Sequence, residues 1–341
     1  MNARWIETLR AGAVIPACPL SLDDNRQWSE RHQRGLTNYY LDAGAQGIAV
    51  GVHTTQFAIR EHGLYQPVLA AVADVIAHQE GAESTVRVAG ICGDTVQACA
   101  EAELARSIGY HAGLLTTNAV RDRSETEILA HCRSIAEVIP VFGFYLHPAV
   151  GGRTYSYRYW REFCEIENVV AIKIAAFNRY QTIDVIRAVI ASGRDDIALY
   201  TGNDDNIIND LLTPYRMEGK ERWFAGGLLG QWAVWTNAAV TMLKKIQAER
   251  HSATIATDWL AANIRLTDAN AAIFDAANQF AGCIPGVNEM LRRQGLLPSS
   301  LCLDKNEVLS PGQAEELDRI SQINDNDDAF IAENLARWLE S

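Results

Sequence analysis

Lysine is scarce in this chain of 341 residues. Of its 30 basic residues 25 are Arg and five are Lys (Lys173, Lys220, Lys244, Lys245, Lys305). Acids outnumber bases by 42 to 30, giving a net charge of −12, and no dense basic block occurs. Both features disfavour nucleic acid and anionic membranes as partners. No apolar run approaches the roughly 18 residues that span a bilayer, and the opening MNARWIETLR lacks the apolar stretch of a signal peptide. A cytoplasmic location is the expectation. The seven cysteines are widely spaced and form no CxxC pair. They read as reduced structural cysteines, not as a disulfide framework or a metal site.

What remains is a chain that is 48% hydrophobic and long enough for a large core. Eight short, nearly continuous apolar runs bounded by turn residues predict strands: GAVIPA (12–17), GIAVGV (47–52), VRVAGI (86–91), AGLLTT (112–117), VFGFYL (141–146), VVAIKI (169–174), IALYTG (197–202) and WFAGGL (223–228). Helical periodicity lies between them, as at 27–45, 65–79 and 95–109, with an Asp start in GDTVQ and a Gly stop in SIGYHAG. Eight βα units in series predict an α/β fold, a TIM (β/α)8 barrel, with a doubly wound open sheet as the other arrangement of the same units. After the eighth strand only helical patterns follow, at 233–247, 253–280, 287–295 and near 311–339. The expected division is a barrel over 1–248 and a C-terminal helical extension over 249–341, packed on the barrel or on a partner subunit.

In such a barrel the chemistry sits at the carboxyl ends of the strands. The sixth strand carries Lys173 inside NVVAIKIAAF. An ammonium among apolar side chains loses hydration, its pKa falls, and the free amine that attacks a carbonyl becomes populated near neutral pH. The alternative is a snorkelling or ion-paired lysine. Tyr145, at the end of the fifth strand, is either a proton-passing phenol beside that amine or a core tyrosine. Thr54 and Thr55, after the second strand, offer hydroxyls and N–H groups for a carboxylate.

Tyr145 with Pro148 in YLHP, Lys173 in AIKIA 28 residues later, HTTQ at 53–56, TGNDD at 201–205 and AGG at 225–227 together resemble the dihydrodipicolinate synthase/N-acetylneuraminate lyase family. The resemblance runs from VIPACPL at 14–20 to CIPGVNEMLRRQG at 283–295. It implies a class I aldolase on a (β/α)8 barrel with three C-terminal helices. Lys173 would form a Schiff base with pyruvate or another 2-oxo acid, Tyr145 would relay the proton, and Thr54 would link that tyrosine to substrate. Thr55 and its N–H would hold the 2-oxo acid's carboxylate. The resemblance further implies an enzyme, a carbon–carbon or carbon–oxygen lyase, that needs no metal or dissociable cofactor, takes a 2-oxo acid and an aldehyde, and assembles as a homodimer or homotetramer.

The chain also departs from that pattern. The family's GTTGE is here His53-Thr54-Thr55-Gln56-Phe57, and the synthases' aldehyde-binding arginine falls on Val150, with Arg153 three residues on. The synthases' tyrosine pair after the fourth strand falls on Ala119 and Val120. These losses count against the lysine-pathway synthase reaction. His147 is a candidate substrate contact or auxiliary acid or base, or else a structural hydrogen-bonding group. Asn203 and Asp204 align with a polar pair that binds substrate hydroxyls in the sialate lyases, or they cap a helix; Gly226 of AGG is a further substrate-side candidate. His53 and His147 have no acid or cysteine at matching spacing to complete a metal site. A non-catalytic paralogue that binds a small 2-oxo or sugar acid is the alternative function.

Overall fold

A computed structural model describes residues 4–321 and 325–340. Its strands are β1 (Val14–Pro16), β2 (Gly47–Val50), β3 (Val86–Ile91), β4 (Ala112–Leu115), β5 (Val141–Leu146), β6 (Val169–Ala175), β7 (Ala198–Thr201), β8 (Tyr215–Met217), β9 (Lys220–Arg222) and β10 (Phe224–Leu229). All but β8 and β9 form one parallel sheet in the order β1-β10-β7-β6-β5-β4-β3-β2. Its two edges meet at a parallel bridge between Ala17 and Ala49, where Cys18 N–H donates to Ala49 O at 2.8 Å. Sequential order with closed edges is the TIM barrel and excludes the open doubly wound sheet.

The helices are α1 (Arg4–Ala11), α2 (Glu30–Asp42), α3 (Tyr65–Ala77), α4 (Thr95–Ile108), α5 (Glu125–Ala136), α6 (Tyr157–Phe163), α7 (Arg179–Ser192), α8 (Ile207–Leu212), α9 (Gln231–Val234), α10 (Thr236–Glu249), α11 (Asp258–Ile273), α12 (Cys283–Arg293), α13 (Gln313–Ile320) and α14 (Asp325–Glu340). The expected signals act where the sequence has them. Asp94 caps α4 by accepting from Gln97 N–H at 3.0 Å, and Gly109 ends it at φ 102°. Among the described residues no helix is long and apolar enough to cross a membrane.

Two cores follow from strand alternation. Side chains such as Ile15, Ala49, Val88, Leu114, Phe142, Phe144, Leu146, Ala171 and Tyr200 fill the barrel interior. Their neighbours of opposite parity, including Ile48, Ile91, Tyr145, Ile172, Ile174 and Leu199, pack outward against the helices. Helix α1 closes the barrel at the amino ends of the strands: Ile6 and Leu9 join the interior cluster, and Tyr200 Oη donates to Leu9 O at 2.8 Å. The opposite mouth is left for a site.

Three expectations about elements change. The pattern at 253–280 is one helix only to Ile273, because Asp275, Gln279 and Phe280 adopt positive φ (57°, 56° and 67°) and turn the chain. Asp275 Oδ2 holds that turn by accepting from Gly282 N–H at 2.9 Å. The pattern near 311–339 is two helices, α13 and α14, with 322–324 outside the described residues. The hairpin β8–β9 had no counterpart in the periodicity, although Glu218-Gly219, both at positive φ (53° and 73°), is a two-residue hairpin turn.

Candidate active site

A pocket opens at the carboxyl ends of the barrel strands. Its floor is Lys173 of β6 with Phe144 of β5. Its walls come from the segments after β2, β5 and β7, and its roof is Phe274, Phe280 and Cys283 from the C-terminal helical segment. Most of the wall is apolar, and no arginine lines it among the described residues.

Lys173 faces the interior because 171, 173 and 175 share the inner parity of β6. The register sets it beside Phe144 on β5 and Tyr200 on β7. Its Nζ lies 4.4 Å from the centre of the Phe144 ring, a contact that compensates part of the lost hydration when the amine is charged. No hydrogen bond or ion pair holds Nζ among the described residues. Burial lowers its pKa from 10.5 to about 8, opposed by the nearby Asp204 carboxylate and the Cys283 thiol.

The room for this side chain comes from Gly202. A Cβ there would stand 2.5 Å from Lys173 Cε, 2.9 Å from Ala175 Cβ and 3.1 Å from Lys173 Cγ. Asp204, two residues on, lines the same pocket. Its Oδ1 is buried without a hydrogen-bond partner. Burial raises its pKa to about 7, opposed by Lys173.

Tyr145 is not beside Lys173. It pairs in register with Ile174, so its side chain leaves the opposite face of the sheet from Lys173. There it is 1% exposed, packs on Trp160 and Tyr155, and its hydroxyl accepts from Tyr155 N–H at 3.3 Å. The core alternative for this tyrosine is the one its surroundings match. Phe144 holds the place over the amine that the resemblance assigns to a phenol.

The two threonines also part company. Thr54 lines the pocket, and its hydroxyl donates to Ala17 O at 2.8 Å. Thr55 is fully buried away from the pocket. Its hydroxyl donates to Cys18 O at 2.6 Å and accepts from Gly51 and Val52 N–H, while its own N–H donates to Val52 O. No donor of Thr55 is left for a carboxylate; it ties the loop after β2 to β1.

Asn203 is likewise consumed in structure. Its amide donates to Asp210 Oδ2 at 2.9 Å and to Thr182 Oγ1 at 3.3 Å, and its Oδ1 accepts from Phe177 N–H at 3.0 Å. Gly226 lies below the mouth, where a Cβ would stand 2.2 Å from Ala13 O. Close approach of β1 to β10 needs a glycine there, and the pocket receives Gly230 instead. Arg153 donates to the carbonyls of Arg121 (2.6 Å) and Arg123 (2.9 Å), which pins it outside the pocket, whereas Val150 lines it.

Both histidines reach the pocket. His53 is held near pKa 4 by burial and by Lys173, so its ring is neutral at pH 7. His147 accepts from Ala149 N–H at Nδ1 (3.1 Å), and its ring packs on Phe177 and Phe280. No group of three His, Cys, Asp or Glu side chains suited to a metal occurs among the described residues. Strand parity in VFGFYL could have revealed Phe144, since 142, 144 and 146 alternate with 145. Phe274, Phe280 and Cys283 carry no such signal, because tertiary packing alone brings them over the mouth.

Residues 10–214 match the model of the Dihydrodipicolinate synthetase family. Solved structures similar to this chain include a dihydrodipicolinate synthase from Acinetobacter baumannii complexed with pyruvate, with a TM-score of 0.75 and 17% identity over 94% of this chain and 99% of that one. A protein named CdNal from Clostridium difficile, in complex with mannosamine, has a TM-score of 0.74 and 14% identity over 92% and 98%. N-acetylneuraminate lyase from Mycoplasma synoviae has a TM-score of 0.68 and 16% identity over 92% and 97%. At these identities the likeness is one of fold. No curated protein matches the sequence.

Proposed function

The chain belongs to the dihydrodipicolinate synthetase family, a family that includes lyases, and on that footing we propose that it is a Schiff-base-forming lyase acting on pyruvate or another 2-oxo acid through Lys173. One observation carries the reading. Lys173 is an amine at the floor of a largely apolar pocket, without a hydrogen bond or ion pair among the described residues, and burial lowers its pKa to about 8. A neutral amine adds to the 2-oxo carbon and expels water, and the resulting iminium draws electrons from the neighbouring carbon, so that a bond there breaks or forms.

The pocket wall bears on the second substrate. Leu146, Val150, Phe177 and Phe280 line the pocket with the lysine, and among the described residues no arginine lines it to meet a second carboxylate. That composition supports an acceptor or leaving aldehyde with an apolar body over the lysine-pathway aldehyde or a polyhydroxylated sugar. The outward turn of Tyr145 favours a second reading, a paralogue that binds a 2-oxo acid without turning it over.

Borohydride reduction in the presence of pyruvate, followed by peptide mass spectrometry, tests the proposal. A covalent pyruvate adduct confined to Lys173 is the expected result; no adduct at Lys173 overturns it. Turnover with apolar aldehydes and pyruvate then separates the readings, since an adduct without turnover across such a panel selects the binding paralogue.

A further inference from the structure

We propose, resting on the reading of Lys173 as the imine-forming amine, that Asp204 is the catalytic acid and base of this site and moves the protons that the family resemblance assigns to Tyr145. The geometry has three parts. Tyr145 lies on the far face of β5, between sheet and helices. Asp204 lines the pocket that Lys173 floors, one strand away, with Gly202 leaving the lysine's methylenes an open path past β7. The Asp204 carboxylate has a buried oxygen, Oδ1, with no hydrogen-bond partner among the described residues, and such a group in a folded protein calls for an explanation.

That oxygen sits in a loop whose backbone is tied down. Asn270 Nδ2 donates to Asp204 O at 2.7 Å, and Thr267 Oγ1 donates to Asp205 O at 2.8 Å, so α11 fixes the backbone. Nearby Asp210 shows what a structural carboxylate looks like here: it accepts from Thr201, Asn203, Asn206 and Arg179. Asp204 is positioned, and its Oδ1 has no such partner among the described residues.

The other polar groups of the pocket are less suited. The Thr54 hydroxyl is spent on Ala17 O. His53 is held neutral to about pH 4, and burial pushes the Cys283 thiol well up. His147 Nδ1 is occupied by Ala149 N–H. Burial raises the Asp204 carboxyl toward neutral pH and lowers Lys173, so near pH 7 the carboxyl can hold a proton or release one while the amine can be neutral.

The steps balance with one proton held by Asp204. The neutral Lys173 amine bonds to the 2-oxo carbon, and the carbonyl π pair moves to oxygen, which takes the Asp204 proton. The carboxylate removes a proton from the new ammonium and returns it to the hydroxyl. That hydroxyl leaves as water while the nitrogen lone pair forms the iminium. The Asp204 carboxylate, now facing a cation, takes a proton from the adjacent carbon; the C–H pair becomes the enamine double bond and Asp204 is protonated again. No oxidant or further reactant is needed.

Exchange of pyruvate methyl protons for deuterium, followed by NMR from pH 5 to 9 with the full chain, reads this cycle directly. Lys173 on β6, Asp205 in the same loop and Cys283 at the start of α12 face Asp204; His53 faces Lys173 and His147 faces Asp205. Y145F is expected to exchange within about threefold of wild type. D204N is expected to lose roughly 10²–10⁴ in rate and the limb of the profile that Asp204 supplies, yet still to accept pyruvate on Lys173 after long incubation with borohydride. D204E is expected to recover part of the rate with that limb displaced, which a purely structural carboxylate would not produce, and it serves equally if D204N does not fold. D204N exchanging like wild type, D204E with an unmoved limb, or Y145F losing as much as D204N overturns the proposal while the Lys173 reading stands. A wild-type protein that takes no adduct overturns both.

Discussion

Replacing Lys173 by Met removes the amine and keeps a side chain of similar length over Phe144 and Gly202. In the folded protein Lys173 has its pKa lowered from 10.5 to about 8 by burial. At about 1.4 kcal/mol for each tenfold in the proton equilibrium, the fold bears up to about 3 kcal/mol for carrying this lysine below pH 8. The sign follows from proton counts. Between pH 8 and 10.5 the unfolded chain binds the proton and the folded chain does not, so stability rises with pH across that window and the burden is gone above it. Asp204 loses the charge that helps to keep it ionised, so it stays protonated at pH 7 and returns part of the gain. K173M is therefore expected to be more stable than wild type at pH 7 by about 1–3 kcal/mol, with the gap closing toward pH 10.5, and to take no pyruvate adduct. Urea unfolding of both proteins in steps from pH 7 to 10.5 measures it. A K173M protein less stable than wild type at pH 7, or a gap that does not change with pH, would refute the reasoning, because the lysine would then be a charged, compensated structural group.

Two further outcomes are expected. G202A places a methyl group 2.5 Å from Lys173 Cε and 2.9 Å from Ala175 Cβ; overpacking should cost about 1–3 kcal/mol and slow adduct formation, and an unchanged melting temperature together with an unchanged adduct rate would show that the lysine does not run past β7 as described. Glu289 is held down to about 2, chiefly by its hydrogen bonds from Arg292 and further by Arg293; its stabilisation is present above pH 4.5 and lost as pH falls toward 2, so thermal melts of E289Q should lie below wild type at pH 7 and converge with it in acid.

Much of the barrel was legible because its strands are buried on both faces and read as unbroken apolar runs between turn residues. Caps were legible for the same local reason, as Asp94 and Gly109 show. The break after Ile273 was not, since Asp275, Gln279 and Phe280 are ordinary residues in a helical pattern, and the positive φ they adopt is held by contacts such as Asp275 with Gly282. Thr55 and Asn203 looked like ligand-binding groups because their types can bind ligands. Only the fold showed that their hydrogen bonds are already taken.

The amino-acid order by itself determined the family, the eight βα units and an amine set in an apolar strand. Strand parity pointed to Phe144, but the order alone could not determine which side chains of other segments meet that amine. Strand side chains alternate with a period of two, so a single step of register between β5 and β6 puts Phe144 over Lys173 and sends Tyr145 to the helices. The orphaned Asp204 oxygen and the aromatic roof of Phe274 and Phe280 arise where distant segments close over the barrel mouth. Pairing across strands and packing across the chain settle those contacts, because neither depends on spacing along one strand.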